Sequence, residues 1–211
     1  MRKLVLPPIL LLVFALSTIA QTGFKKMTDT KAFEQKVNSI AEQTETIQCD
    51  FVQEKSLSFM TDKIVSEGRF FFKKEEQLRW EYTDPFSYII ILNDGKLMID
   101  DEGNQNEINL KSNKTFQEIN QLLTRSLQGD VLSQSDKFSY EIMEGEKQYL
   151  VKLTPTDQKM KEYMTRIDVY FDKADMMVAG VDMHEQSEDM TSIRFSKRKI
   201  NESVPADMFR L

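Results

Sequence analysis

The chain has 211 residues, with 28 Lys and Arg against 34 Asp and Glu, a formal net charge of −6. This acidic balance argues against nucleic acid as a partner, because a phosphate backbone needs a basic surface. A single Cys excludes an intrachain disulfide framework, and a single His excludes most histidine-based metal sites. The 14 Phe and 12 Met instead supply soft apolar surface. This composition argues against a metal or redox enzyme. We expect no enzymatic activity and neither a metal nor another cofactor.

The first 20 residues have the pattern of a secretory signal peptide. Two cations precede an apolar run over 4–16, and Thr18 and Ala20 are small residues three and one before a cut at Gln21. The alternative, a transmembrane anchor, needs a longer run to span about 30 Å of hydrocarbon. A lipoprotein signal would need Cys where Gln21 stands. We predict cleavage after Ala20, export and a single domain over 21–211.

Two segments, at about 30–46 and 115–127, have apolar residues at the spacing of one helical face. The stripe of the first segment consists of Phe33, Val37, Ile40 and Ile47. The stripe of the second consists of Phe116, Ile119, Leu122, Leu123 and Leu127. Each stripe predicts an amphipathic helix that buries one face.

Most of the remaining chain alternates between apolar and polar residues, which predicts about eleven antiparallel strands. Asp94-Gly95 can supply the positive φ angles of a two-residue hairpin turn, and Glu102-Gly103 marks a second turn. The later predicted strands cover 105–110, 138–144, 148–153, 163–171, 177–184 and 190–198. Short connections favour a meander, and a sheet with this many strands tends to curl toward a barrel.

Two predicted strands are apolar on both faces. The runs 70–72 and 89–92 contain only Phe, Ile and Leu at consecutive positions. An antiparallel sheet with one face in water does not need such runs. Three explanations stay open: an ordinary packed core, central strands covered by the helices, or a sheet that curves around an apolar hollow.

An ordered set of motifs runs along the chain. They are Phe51-Val52-Gln53, the run Gly68-Arg69-Phe70-Phe71-Phe72-Lys73-Lys74, Leu78-Arg79-Trp80, Asn93-Asp94-Gly95-Lys96 and Pro205-Ala206-Asp207-Met208-Phe209. Their order and spacing resemble the LolA family of periplasmic lipoprotein carriers over about 24–209. The resemblance implies an α+β, mainly β fold. This would be an incomplete, strongly curved antiparallel β-barrel with helices as a lid over an apolar cavity.

The resemblance also implies partners and site residues. It implies acylated lipoproteins as cargo, an inner-membrane lipoprotein-releasing ABC transporter as donor and an outer-membrane acceptor that the sequence does not identify. We expect the carrier to be a monomer. The residues expected to hold acyl chains are Phe33, Val37, Ile40, Phe51, Phe70, Phe72, Leu78, Trp80, Tyr82, Ile90, Leu92, Phe116, Ile119, Leu122 and Leu123. Lys74 and Arg79 are candidates for a gate or a head-group contact near the cavity mouth.

Two features depart from the best-known members of the family. Lys74 stands where they have Arg, so the planar guanidinium is lost. The chain ends at Leu211 without their longer C-terminal segment, which leaves the acceptor unidentified. An alternative function is a lipid-sensing or regulatory module on the same kind of sheet. Regulators of that architecture usually add a second domain and bind an anti-sigma partner.

Overall fold

The computed structural model describes residues 23–74, 77–109 and 138–211. Twelve strands in these ranges form one antiparallel sheet. They are β1 (Lys25–Lys26), β2 (Thr46–Ser56), β3 (Ile64–Lys73), β4 (Gln77–Asp84), β5 (Tyr88–Asn93), β6 (Lys96–Asp101), β7 (Asn104–Asn109), β8 (Phe138–Glu144), β9 (Gln148–Pro155), β10 (Met164–Asp172), β11 (Val178–Glu185) and β12 (Met190–Ile200). The spatial order is β1-β8-β9-β10-β11-β12-β2-β3-β4-β5-β6-β7. The two edge strands, β1 and β7, do not pair with each other, so the described sheet is not closed.

Two α-helices lie in the described ranges, α1 (Lys31–Gln43) and α2 (Gln158–Tyr163), with a 3-10 helix over Ala206–Phe209. The first predicted helix is confirmed as α1, but it ends at Gln43, and Ile47 of the predicted stripe lies on β2 instead. The predicted helix over 115–127 lies outside the described residues. Sequence analysis missed α2, because a six-residue helix is too short to show an apolar stripe.

Both predicted hairpin turns are present. Asp94 and Gly95 have φ angles of 50° and 69° and connect β5 to β6. Glu102 and Gly103, with φ angles of 51° and 93°, connect β6 to β7 in the same way. Positive φ at both central residues is what a type I′ turn requires, and its twist suits paired strands. The predicted bounds of β7 to β12 each lie within two residues of the observed ones.

One face of the sheet, which we call the core face, carries the main apolar cluster. Phe51 on β2, Phe70 on β3 and Trp80 on β4 belong to this cluster, and valines of β9 to β11 continue it. Helix α1 packs on the same face through the buried side chains of Phe33 and Val37. The core therefore lies between α1 and the sheet in the described part of the chain.

The opposite face of β3 to β6, which we call the outer face, is covered by the C-terminal segment over 203–211. Ile91, Val204 and Phe209 form a second buried cluster there. Partly buried side chains packed against it are Phe71, Ile89, Met98 and Met208. The strands that are apolar on both faces thus meet the main cluster on one side and the end of the chain on the other.

Among the described residues, no helix is both long enough and apolar enough to cross a membrane.

Candidate functional site

Trp80 lies at the centre of a group of aromatic rings on the core face. Its ring centroid is 4.6 Å from that of Phe51, 5.4 Å from Phe70 and 6.2 Å from Phe195. The planes are tilted or edge-on, as the quadrupoles of aromatic rings favour. Three neighbouring strands and β12 contribute these rings because each has an aromatic residue at an alternate, inward position.

The rings continue toward one end of the sheet as an aromatic path formed by Trp80, Tyr82 and Phe86. The centroids of Trp80 and Tyr82 are 6.4 Å apart, and those of Tyr82 and Phe86 are 5.7 Å apart. Exposure rises along this path, from 7% at Trp80 to 40% at Phe86. The loop over 57–63 lies at the same end of the sheet and carries Phe59, which is 78% exposed. The path therefore connects the buried cluster with an apolar rim.

Two polar groups are set among these rings. The Tyr82 hydroxyl donates to Gln53 Oε1 at 3.0 Å, and burial raises the pKa of Tyr82. The Trp80 indole Nε1 is buried and has no hydrogen-bond partner among the described residues. The neighbouring Tyr82 hydroxyl does not satisfy it, because the two groups lack hydrogen-bond geometry. The core face thus contains one unused hydrogen-bond donor in apolar surroundings.

The structure brings together on the core face every predicted acyl-binding residue that it describes. Eight of them are buried members of the main cluster: Phe33, Val37, Phe51, Phe70, Phe72, Leu78, Trp80 and Leu92. The partly buried side chains of Ile40, Tyr82 and Ile90 pack against that cluster. The other four, Phe116, Ile119, Leu122 and Leu123, lie outside the described residues. Contact with acyl chains stays a prediction for all of them.

Lys74 ties the end of α1 to the sheet. Its Nζ donates to the Glu42 carbonyl oxygen at 2.9 Å and to Glu45 Oε1 at 2.8 Å. Its backbone N–H donates to the Glu45 carbonyl oxygen at 2.8 Å. A cation beside the last carbonyls of a helix is stabilising. A movement of the last turn of α1 would therefore break or shift the contacts of Lys74. The gate role of Lys74 stays a prediction.

Arg79 lies on the outer face, opposite Trp80. Its Nε donates to Glu81 Oε2 at 3.1 Å, and its Nη1 donates to the Met208 and Arg210 carbonyl oxygens at 3.4 Å and 3.5 Å. Only 13% of its side chain is exposed. These contacts hold the C-terminal segment over the second cluster. The gate role suggested for Arg79 stays a prediction, while its observed contacts are structural.

Arg79→Leu should loosen the C-terminal segment. The substitution removes charge-assisted hydrogen bonds in a largely buried place, which costs about 1–3 kcal/mol. Hydrogen exchange at the amides of 206–211 should become faster, and the urea midpoint should fall. Arg69→Leu is the matched control, because Arg69 also donates to Glu81 but is half exposed. Equal losses in the two variants would contradict the anchoring role of Arg79.

A polar network on the outer face of β10 to β12 was not foreseen from the sequence. Asp182 accepts from Arg194 Nη1 and Ser192 Oγ, each at 2.6 Å, and from the Tyr170 hydroxyl at 2.9 Å. Burial alone would raise the pKa of Asp182, but the hydrogen bonds from Arg194 and Ser192 hold it below its usual range. The sequence feature that could have indicated this network is the set of polar residues at alternate positions of adjacent strands. Among the described residues, no group of three or more His, Cys, Asp or Glu side chains could hold a metal ion.

Cys49 lies on the core face of β2 beside Phe70, and burial raises the pKa of its thiol to about 12. The folded protein thus keeps the thiol neutral where the unfolded chain ionises it. The thiol therefore does not lower the free energy of unfolding below the unfolded pKa of about 9. Above it, the free energy of unfolding falls as the pH rises toward the folded pKa of about 12.

Between pH 9 and pH 11, the free energy of unfolding of the wild-type protein should therefore fall by about 2 kcal/mol more than that of Cys49→Ala. Urea denaturation of both proteins across this range measures the difference. The cavity left by Cys49→Ala costs the same at each pH and so cancels. Parallel stability curves for the two proteins would contradict the shift.

The sequence over residues 42–211 matches the family model described as outer membrane lipoprotein carrier protein LolA. Among curated proteins, no sequence matches this chain. The structure is similar to that of MucB from Pseudomonas aeruginosa, with a TM-score of 0.52 and 11% identity. The match covers 88% of this chain and 63% of MucB, so this chain spans less than two thirds of MucB. At that identity the likeness concerns the fold alone.

Two further solved structures have lower scores. LppX, a lipoprotein of Mycobacterium tuberculosis, gives a TM-score of 0.48 at 10% identity, covering 85% of this chain and all of LppX. The LolA superfamily protein NE2245 of Nitrosomonas europaea gives 0.46 at 11% identity, covering 88% of this chain and 99% of NE2245. The family match itself covers most of the sequence, including the strands that carry Trp80 and its neighbours. The chain belongs to the LolA family of outer membrane lipoprotein carrier proteins.

Proposed function

We propose that the protein is a periplasmic carrier that takes acylated lipoproteins from the inner to the outer membrane and shields their acyl chains against the core face. Membership of the LolA family, through the match over 42–211, carries this proposal. After removal of the signal peptide, 21–211 would act as a single carrier domain and as a monomer.

The cargo explains why such a protein needs apolar surface. Burying one methylene group is worth about 0.8 kcal/mol, so one long acyl chain gains on the order of 10 kcal/mol by leaving water. A lipoprotein with several chains therefore stays in its membrane unless a carrier replaces the bilayer. The carrier needs an apolar site, a cover that can open and a soluble exterior.

The core face supports the first requirement. Its cluster has a margin of partly buried side chains, and several of these are the methionines Met27, Met160, Met164 and Met183. Methionine is unbranched and polarizable, so it can repack around flexible hydrocarbon. The apolar side chains of the predicted helix over 115–127 would add to this surface.

Helix α1 supports the second requirement. It contributes only Phe33 and Val37 as buried side chains, and Lys74 holds its last turn to the sheet through two exposed polar contacts. A helix attached in this way can act as a lid together with the helix predicted over 115–127. The net charge, −6 for the whole sequence and more negative once Arg2 and Lys3 leave with the signal peptide, supports the third requirement, because it keeps the protein off anionic bilayers.

The partners follow from the same role. The donor would be an inner-membrane lipoprotein-releasing ABC transporter, which would supply the energy because this sequence contains no nucleotide-binding motif. The recipient would be an acceptor in the outer membrane. The alternative function is a lipid-sensing regulatory module. MucB, whose fold is similar to that of this chain, has been crystallised in complex with a partner protein, MucA.

Native mass spectrometry of the protein taken from its own periplasm separates these functions. A carrier should retain one acylated polypeptide per chain, and lipase treatment should release it. A regulator would retain an unacylated partner protein instead. Protein that carries neither acylated polypeptide nor lipid, even after gentle extraction, would contradict the carrier proposal.

A further inference from the structure

We propose that the indole N–H of Trp80 is the polar anchor of the lipid site, and that it donates a hydrogen bond to an ester carbonyl oxygen at the glyceryl end of a bound acyl chain. This inference rests on the proposed carrier function and names the chemical group that the site recognises.

The first support is the unused donor itself. Trp80 is more than nine-tenths buried, and its Nε1 has no partner among the described residues. The other buried side-chain atoms without a hydrogen-bond partner there are Arg166 Nε and Asp168 Oδ1, which face each other as an ion pair at 2.9 Å. Of these three atoms in the described part of the chain, only Trp80 Nε1 has no oppositely charged group beside it. A buried N–H without an acceptor is costly, so an acceptor from a ligand would be stabilising.

The second support is the chemistry around the donor. Phe51, Phe70 and Phe195 surround the Trp80 ring and offer no acceptor. The nearby Tyr82 hydroxyl donates to Gln53, and its oxygen lacks the geometry to accept from the indole N–H. An ester carbonyl accepts a hydrogen bond without bringing charge into these apolar surroundings, whereas a carboxylate would bring a charge at high cost. The site therefore fits an ester-linked lipid better than a free fatty acid.

The third support is position. Trp80 lies between the buried residues of the cluster and the aromatic path that leads through Tyr82 to the half-exposed Phe86. A ligand whose ester lies at Trp80 can place its hydrocarbon against Phe70 and its polar end along the path toward water. This arrangement matches the order of groups in a diacylglyceryl lipid, which runs from tail through ester to head.

The test compares diester and diether lipids, because an ether keeps the hydrocarbon and removes the carbonyl. The probes are a dipalmitoylglyceryl-cysteinyl peptide and its dihexadecyl ether. Wild type should bind the diester about threefold to tenfold more tightly, the effect of one net hydrogen bond. Trp80→Phe keeps an aromatic ring but lacks the donor, so it should bind both lipids equally.

A second measurement uses wild type alone. Trp80 is the single Trp of the sequence, so a ¹⁵N-labelled protein has one indole N–H resonance. This resonance should move downfield with the diester and stay near its ligand-free position with the diether. It decides the question even if Trp80→Phe does not fold. Phe70→Leu is the matched control, since it removes aromatic volume beside Trp80 and should weaken both lipids by the same factor.

The ester could come from a lipoprotein or from a phospholipid. The same comparison with dipalmitoyl phosphatidylethanolamine and its diether in mixed micelles distinguishes them. A preference for the ester in the lipopeptide pair alone identifies lipoprotein cargo, and a preference in both pairs identifies ester lipids in general; either supports the anchor. Equal binding of diester and diether, or an indole resonance that moves equally with both, would overturn the anchor but leave the carrier function standing. Failure to bind all four lipids would overturn the proposed function.

Discussion

Gly68→Ala should unfold the protein or remove several kcal/mol of its stability. A Cβ atom at this position would lie 2.0 Å from the Glu81 carbonyl oxygen and 2.7 Å from Cζ of Phe51. The first atom belongs to the backbone of the adjacent strand, so β3 and β4 would have to separate. Overpacking costs about 1–3 kcal/mol where side chains can adjust. The added Cβ atom of Gly68→Ala clashes with backbone, which adjusts less easily than a side chain. We therefore expect a loss of stability at or above the top of that range.

Gly103→Ala is the matched control for that substitution. Gly103 has a φ of 93° and no atom within 4 Å of the added Cβ. Its replacement strains the turn by about 1–2 kcal/mol without touching a neighbour. Urea denaturation should therefore show a much larger loss for Gly68→Ala. A midpoint for Gly68→Ala close to that of wild type would contradict the pairing of β3 with β4.

Ile90→Ser should lower the affinity for an acylated peptide tenfold or more, while Ile89→Ser should leave it within about twofold. These neighbours on β5 face opposite sides of the sheet, and both are partly buried. Ile90 packs against the main cluster of the core face, and Ile89 against the second cluster under the C-terminal segment. An apolar side chain that buries against a ligand contributes about 1.5–3 kcal/mol, which corresponds to this change in affinity.

The two isoleucine variants control for each other because each loses the same atoms. Their thermal midpoints should fall by similar amounts, which separates binding from folding. Titration with a fluorescent tripalmitoylated peptide measures the affinity. If both variants bind as wild type does, or if Ile89→Ser loses more affinity than Ile90→Ser, acyl chains do not bind on the core face.

Local chemistry made the strands and turns predictable. The I′ turn at Asp94-Gly95 needs two residues that accept positive φ, and the sequence supplies both beside alternating strands. The same alternation placed Phe70, Trp80 and Leu92 on one face. It also implied that Arg79, which lies between Leu78 and Trp80, faces the other way. A gate role for Arg79, which stays a prediction, would therefore act from the outer face.

Features that depend on distant contacts could not be predicted. The C-terminal segment covers Ile91 through Val204 and Phe209, more than a hundred residues away in the chain, and it has no periodic pattern of its own. The missing partner of the Trp80 indole N–H is also a property of the folded arrangement, since it depends on which acceptors β2 and β12 bring near. The first feature explains why the outer face is apolar. The second is the basis of the proposed ester anchor.

The most direct test of the carrier function is release of lipoproteins from their own membrane. The mature protein, purified free of lipid, is added to spheroplasts of a strain that has an active lipoprotein-releasing transporter. The carrier function predicts acylated lipoproteins in the soluble fraction, in a one-to-one complex with the protein, and an Ile90→Ser variant that yields far less of it. Lipoproteins that stay entirely in the membrane, while a known carrier releases them from the same spheroplasts, would contradict it.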